Sequence, residues 1–150
     1  MNEKVLQLLL ADDDETDREL FEEALKAVPH DAILYKTTNG EQLMDYLLQD
    51  GMSIPDALFL DINMPRKNGI ECLAEIKDDA TLRHIPVFIV STSLDPDVVK
   101  RVYEYGACGY VRKPGSFKTL IATIGHACDL VVSGACDKPP FEQFVLNEKI

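Results

Sequence analysis

Val5-Leu6-Gln7-Leu8-Leu9-Leu10-Ala11 runs straight into Asp12-Asp13-Asp14. A near-continuous apolar run of this length reads as a strand buried on both faces, as in a parallel sheet. From Asp14 to Val28 the period changes: Leu20, Phe21, Ala24, Leu25 and Val28 fall on one helical stripe. Asp14 and Asp17 supply a cap and an acidic first turn, and Pro29 stops the helix.

The same alternation continues outward from this first unit. Ala32–Lys36 reads as a strand, and Asn39–Gln49 as a helix with Leu43, Met44, Leu47 and Leu48 inward. Ala57-Leu58-Phe59-Leu60 is a strand, followed by a Pro/Gly-punctuated loop and a helix carrying Ile70, Leu73 and Ile76. Val87–Val90 leads to a helix over Asp95–Tyr105 with Val98, Val99 and Val102. Tyr110-Val111-Arg112 leads to a helix capped by Ser116 and running to about Val131, with Leu120, Ile121, Ile124 and Cys128 facing the sheet. Five strand–helix units predict one α/β domain: a parallel sheet with helices on both faces, joined by right-handed crossovers. After Ser133-Gly134 the pattern stops, and Pro139-Pro140 should break any helix before Phe141, Phe144, Val145 and Leu146.

Composition narrows the function. The 150 residues are 46% apolar and carry a net charge of −11, of which −7 lies in residues 11–23. A duplex phosphate backbone would repel such a surface, so no direct nucleic-acid binding is expected. The longest apolar runs are too short to span a bilayer, and the N-terminus lacks the apolar stretch of a signal peptide, so the cytoplasm is the expected location. Cysteines 72, 108, 128 and 136 match no close-paired zinc spacing and are expected to be free thiols.

In an open parallel sheet, ligands bind beyond the carboxyl ends of the strands. Asp12-Asp13-Asp14 follow the first strand, Asp61 the third, Ser91-Thr92-Ser93 the fourth, and Lys113-Pro114 the fifth. Helix capping accounts for Asp14 and Asp17, but not for Asp61 at the tip of a buried apolar run. Clustered carboxylates raise one another's pKa unless a cation sits among them, and an all-oxygen site suits Mg2+ best, with Mn2+ as a substitute. A carboxylate left free beside such an ion is a nucleophile toward phosphorus, and Lys113 with a hydroxyl would bind the incoming oxygens.

These residues resemble the receiver domain of bacterial two-component response regulators. The resemblance covers about residues 5–131 and rests on Asp12-Asp13, Asp61-Ile62-Asn63-Met64-Pro65-Arg66-Lys67-Asn68-Gly69, Val90-Ser91-Thr92-Ser93 and Gly106–Pro114. It implies a flavodoxin-like doubly wound (βα)5 fold with strand order 2-1-3-4-5. It implies that Asp61 is the phosphoacceptor, and that Asp12, Asp13, Asp61 and the Asn63 backbone carbonyl hold Mg2+. Ser91 would be the switch hydroxyl, Lys113 the phosphoryl-binding cation, and Tyr110 the aromatic that reports the state of Ser91. Asn63 and Thr92 would flank the path of attacking water, Pro65 and Gly69 would shape the loop, and Lys113–Pro114 would be a cis peptide.

The chain is similar to stand-alone receivers, including those linked to phytochrome-like kinases. Residues 1–131 would form the receiver and 132–150 a tail, with no output domain. A sensor histidine kinase or phosphotransfer protein would supply the phosphoryl group. The signal would be a changed protein-binding face made by the fourth helix, fifth strand and fifth helix, rather than turnover of a substrate. The tail would dock on that face, bridge to a second copy in a homodimer, or cover the chain's own last helix.

Two other readings fail on particular residues. A haloacid-dehalogenase-type phosphatase needs a second Asp two positions after the nucleophile, where Asn63 stands and cannot donate a proton in that way. A flavodoxin-like electron carrier needs a phosphate cradle after the first strand, where Asp12-Asp13-Asp14 would repel it.

Overall fold

Each α-helix begins on a side chain suited to the task. In the computed structural model, which describes residues 4–51, 53–136 and 138–147, Asp14 caps α1 (Glu15–Lys26) by accepting from the Asp17 N–H. Asn39 caps α2 (Gly40–Leu48) and Asn68 caps α3 (Gly69–Asp78), the latter in a reciprocal box with Glu71. Asp95 precedes α4 (Pro96–Glu104), with Pro96 in its first turn, and Ser116 caps α5 (Phe117–Ser133). These caps satisfy amide donors that a helix start leaves without partners, so the chain turns where the helices begin.

Five parallel strands alternate with the helices: β1 (Leu6–Ala11), β2 (Ala32–Thr37), β3 (Ala57–Asp61), β4 (Val87–Ser91) and β5 (Gly109–Arg112). Their order is β2-β1-β3-β4-β5, the doubly wound α/β arrangement expected. β3 and β4 are buried along their whole length, which is why their sequences show continuous rather than alternating hydrophobicity. Side chains still alternate between two cores. Leu9, Leu58, Leu60, Ile89 and Tyr110 face α2, α3 and α4, whereas Leu8, Leu10, Phe59, Phe88 and Val111 face α1 and α5.

β2 and β5 are the outer strands. β2 leaves Ile33 and Tyr35 exposed. β5 is paired further by the C-terminal segment: Tyr110 N–H donates to Phe144 O at 3.0 Å, and Leu146 N–H donates to Tyr110 O at 2.9 Å. Asn147 then grips Arg112, donating to its carbonyl at 2.7 Å and accepting from its N–H at 3.2 Å. The tail therefore lies against α4 and β5. Asp137 and residues 148–150 of the expected 132–150 tail fall outside the described residues.

Three expectations are corrected. Leu20 and Leu48 are exposed at 44% and 54%; Leu20 sits at the rim of the α1 stripe, and Leu48 ends α2, where the helix leaves the sheet. Cys108 and Cys136 form a disulfide rather than free thiols, because the turn after α5 brings their Cα atoms to 5.1 Å across 28 residues of sequence. Cys72 and Cys128 are free and buried. Lys113–Pro114 is trans, the described peptides including none in cis. Trans is the preferred isomer of an X–Pro bond, and in it Lys113 Nζ lies 2.9 Å from Asp61 Oδ2.

Candidate functional site

The carboxyl ends of β1, β3, β4 and β5 open on one mouth. Asp61 is the last residue of β3 and is 2% exposed; Asp12, directly after β1, is 3% exposed. Burying carboxylates without partners is prohibitively unfavourable. Their partner is Lys113, whose Nζ lies 2.9 Å from Asp61 Oδ2, 3.2 Å from Asp12 Oδ2 and 2.7 Å from Asp17 Oδ2. Burial alone would favour the neutral amine, but the hydrogen bonds Lys113 donates to Asp17 and Asp61, and the charges of Asp61 and Asp12, hold the ammonium above its ordinary range.

Asp12 responds in the opposite sense. Burial, then the neighbouring Asp61 charge, lifts its carboxyl to about 6 against the opposing effects of the Asp14 N–H and Lys113. Asp13 completes the cluster: one carboxylate oxygen from each of Asp12, Asp13 and Asp61 lies within 4.8 Å of the others. This donor set, all oxygen and incompletely neutralised, fits a hard divalent cation.

Local geometry keeps the Asp61 side chain in place. Its Oδ1 accepts the Asn63 N–H at 2.9 Å. The loop after it turns back at Arg66, whose φ is +69°, and closes when Gly69 N–H donates to Ile62 O at 2.9 Å. A Cβ on Gly69 would stand 2.4 Å from the Asp61 carbonyl oxygen, so only glycine permits this approach. Gly40, which sequence reasoning passed over, meets the same limit at the Lys67 carbonyl, where a Cβ would stand at 2.1 Å. Pro65 lies within the turn, where its carbonyl accepts the Lys67 N–H at 2.7 Å.

The remaining predicted residues lie on the β4–β5 side. Ser91 is buried at the end of β4, its Oγ accepting the Ser93 N–H at 3.1 Å, and its carbonyl accepts the Lys113 N–H at 2.8 Å. Thr92 and Asn63 are exposed at the mouth. Tyr110 is fully buried, its hydroxyl donating to Ser93 O at 2.6 Å; burial raises its pKa while contact with Ser91 opposes the rise. Sequence reasoning missed Asp17 as a partner of Lys113, having assigned it to the first turn of α1. No local signal marks it, because Asp17 and Lys113 stand 96 residues apart in the sequence.

The sequence model described as "Response regulator receiver domain" matches residues 8–125. The chain belongs to this family. Among its relatives, response regulator Rcp1 of Synechocystis sp. (strain ATCC 27184 / PCC 6803 / Kazusa) is 35% identical over 121 residues, covering 78% of this chain and 82% of Rcp1. The Mn2+-bound form of Rcp1 aligns in structure with a TM-score of 0.73 at 34% identity, covering 81% of this chain and 90% of that one. The phosphorylated cyanobacterial phytochrome response regulator RcpA aligns with a TM-score of 0.75 at 34% identity, over 87% and 96% of the two chains. The receiver thus makes up nearly all of these relatives, and this chain is a receiver of two-component signalling. Among the described residues, no helix is long and apolar enough to cross a membrane.

Proposed function

We propose that this receiver takes a phosphoryl group from a histidine kinase, or from a phosphotransfer protein, onto Asp61. The supporting observation is Lys113 Nζ held between three carboxylates, one of them the buried end of β3. Asp61 Oδ is the nucleophile; it attacks phosphorus as the donor nitrogen leaves, forming an acyl phosphate. Asn63 N–H holds Oδ1, leaving the Lys113-bound oxygen directed into the mouth. Lys113 then transfers its hydrogen bond from Asp61 to a phosphoryl oxygen. Asp12, Asp13, Asp61 and the Asn63 carbonyl would hold Mg2+, which when bound neutralises charge on the transferring phosphoryl group. RcpA has been obtained phosphorylated and Rcp1 with Mn2+, in keeping with both parts of this chemistry.

Ser91 turns its hydroxyl toward the phosphoryl group, breaking its bond to the Ser93 N–H. Ser93 also accepts the Tyr110 hydroxyl, so the change passes to β5 and the α4 side of the sheet. Phosphorylation therefore biases two arrangements of the α4–β5–α5 face, and the output is a protein contact there, with a target or a second copy. In this reading residues 1–131 are the receiver, 132–150 are a tail that modulates it, and the protein works in the cytoplasm. Its phosphoryl chemistry is its own phosphorylation and dephosphorylation.

The test is incubation with acetyl phosphate, with and without Mg2+, read as intact mass beside Asp61→Asn. One added phosphoryl group requiring both Mg2+ and Asp61 is expected. An adduct of the same yield in Asp61→Asn would overturn the assignment.

A further inference from the structure

Cys108 and Cys136 meet far from the carboxylate mouth, at the opposite end of the sheet. Cys108 is buried at the entry to β5, its N–H donating to Val87 O at 2.7 Å. Cys136 lies just past Gly134, in the turn where Ala135 N–H donates back to Leu130 O at 3.0 Å. The Cα separation of 5.1 Å suits a disulfide without backbone movement. The bond fixes where the 138–147 segment starts. From there Pro139 O accepts the Tyr103 hydroxyl at 2.7 Å, and the Phe141 and Phe144 rings meet the Tyr103 ring edge-on at 5.1 and 5.0 Å. Phe144 is wholly buried, and Val145 bridges to Tyr110. The disulfide is thus the root of a strap across α4 and β5.

Beside it opens a cavity of about 620 Å³ whose lining includes both cysteines together with Lys77, Arg83, His84 and Lys138. Its volume admits a small organic molecule, and its basic side chains favour a negatively charged one. Of the pair, Cys136 is the half-buried residue and Cys108 the buried one.

We propose that Cys108–Cys136 is a redox site, opened by a small anionic thiol in this cavity, whose opening loosens the 138–147 strap on α4 and β5. The thiolate attacks Cys136 Sγ; the disulfide breaks and its electron pair leaves on Cys108 Sγ, giving a mixed disulfide at Cys136. A second thiolate attacks the reagent's sulfur and expels the Cys136 thiolate. Both protein sulfurs take up the protons given by the two thiols, so one disulfide is reduced and one small-molecule disulfide is formed. The basic surroundings stabilise the attacking and the leaving thiolate. In reducing compartments, disulfides of this kind are transient and redox-sensing. Once cut, the strap keeps the Phe144 anchor and its β5 hydrogen bonds but loses the tether that holds it at high effective concentration over its seat. The inference does not rest on phosphorylation of Asp61 and stands if that fails.

The experiment uses the full chain in air-oxidised and reduced forms. Thiol titration under denaturing conditions should find only Cys72 and Cys128 before reduction and all four cysteines after it; four free thiols in the oxidised chain would overturn the proposal. Hydrogen exchange should then quicken roughly tenfold or more over 138–147 and β5 on reduction, with α1 and β1 unchanged. Cys136→Ser should exchange like the reduced wild type whatever the redox state. Equal strap protection in oxidised and reduced wild type would mean that the bond does not hold the strap. For the reagent class, glutathione is compared with neutral 2-mercaptoethanol as reductant. Their rate ratio should fall severalfold in Arg83→Glu/Lys138→Glu; an unchanged ratio would refute the anionic thiol.

Discussion

Asp12 is the carboxylate whose charge is most sensitive to its setting. Its carboxyl moves from 3.8 to about 6 on folding, through burial first and the Asp61 charge after it. Between those values the folded chain keeps a proton that the unfolded chain has released. This group's contribution to stability is therefore full below 3.8 and declines as pH rises toward 6. A divalent cation offsets that loss by binding the ionised form. Mg2+ is accordingly expected to raise the melting temperature, relative to chelator, more at about pH 7 than at about pH 5, and Asp12→Asn should narrow the difference. Calorimetry at the two pH values checks this; equal increments would remove Asp12 from the cation site. Thr92 is exposed beside Ser91, and in the proposed function its branched side chain would stand in the path of water. Thr92→Ala is expected to speed loss of the phosphoryl group severalfold, followed by intact mass against time, and an unchanged rate would end that role.

At the scale of elements, the joint between β3 and α3 carries the greatest constraint. With no room for a Cβ at Gly69, Gly69→Ala must push the Asp61 carbonyl or the start of α3 aside. A loss on the order of 2 kcal/mol in urea unfolding is expected, with slower phosphorylation by acetyl phosphate, because the displaced carbonyl belongs to Asp61, the proposed phosphoacceptor. The elements themselves were legible because each signal was local: buried parallel strands read as unbroken apolar runs, and helix starts read as caps. The mouth was legible for the same reason, since its residues follow strand ends directly. Three features were not. The Lys113–Asp17 contact joins residues brought together only by the packing of α1 beside α5. The isomer before Pro114 is decided by tertiary contacts, the intrinsic preference being under about 1 kcal/mol. The Cys108–Cys136 pair depends on where the chain goes after α5, and no periodicity reports that.

For the whole molecule, the tail is part of the core. Phe144 is as buried as Tyr110, whereas Phe141 remains 39% exposed. Phe144→Ala is expected to lower stability by about 3 kcal/mol and Phe141→Ala by less than about 1 kcal/mol, read from denaturant midpoints. Similar small losses from both would mean that the tail lies on the surface without contributing to the fold. Tail pairing also leaves the two sides of the sheet unlike: β5 has a neighbour, while β2 ends the sheet with Ile33 and Tyr35 exposed.

The tyrosine–phenylalanine cluster under the tail has a spectroscopic consequence. The chain contains no tryptophan and five tyrosines, so its near-ultraviolet signal comes largely from phenol rings. Two of the five, Tyr103 and Tyr110, are held against Phe144 in fixed, asymmetric surroundings. Circular dichroism near the tyrosine absorption band therefore reads the seating of the C-terminal segment directly, without a label.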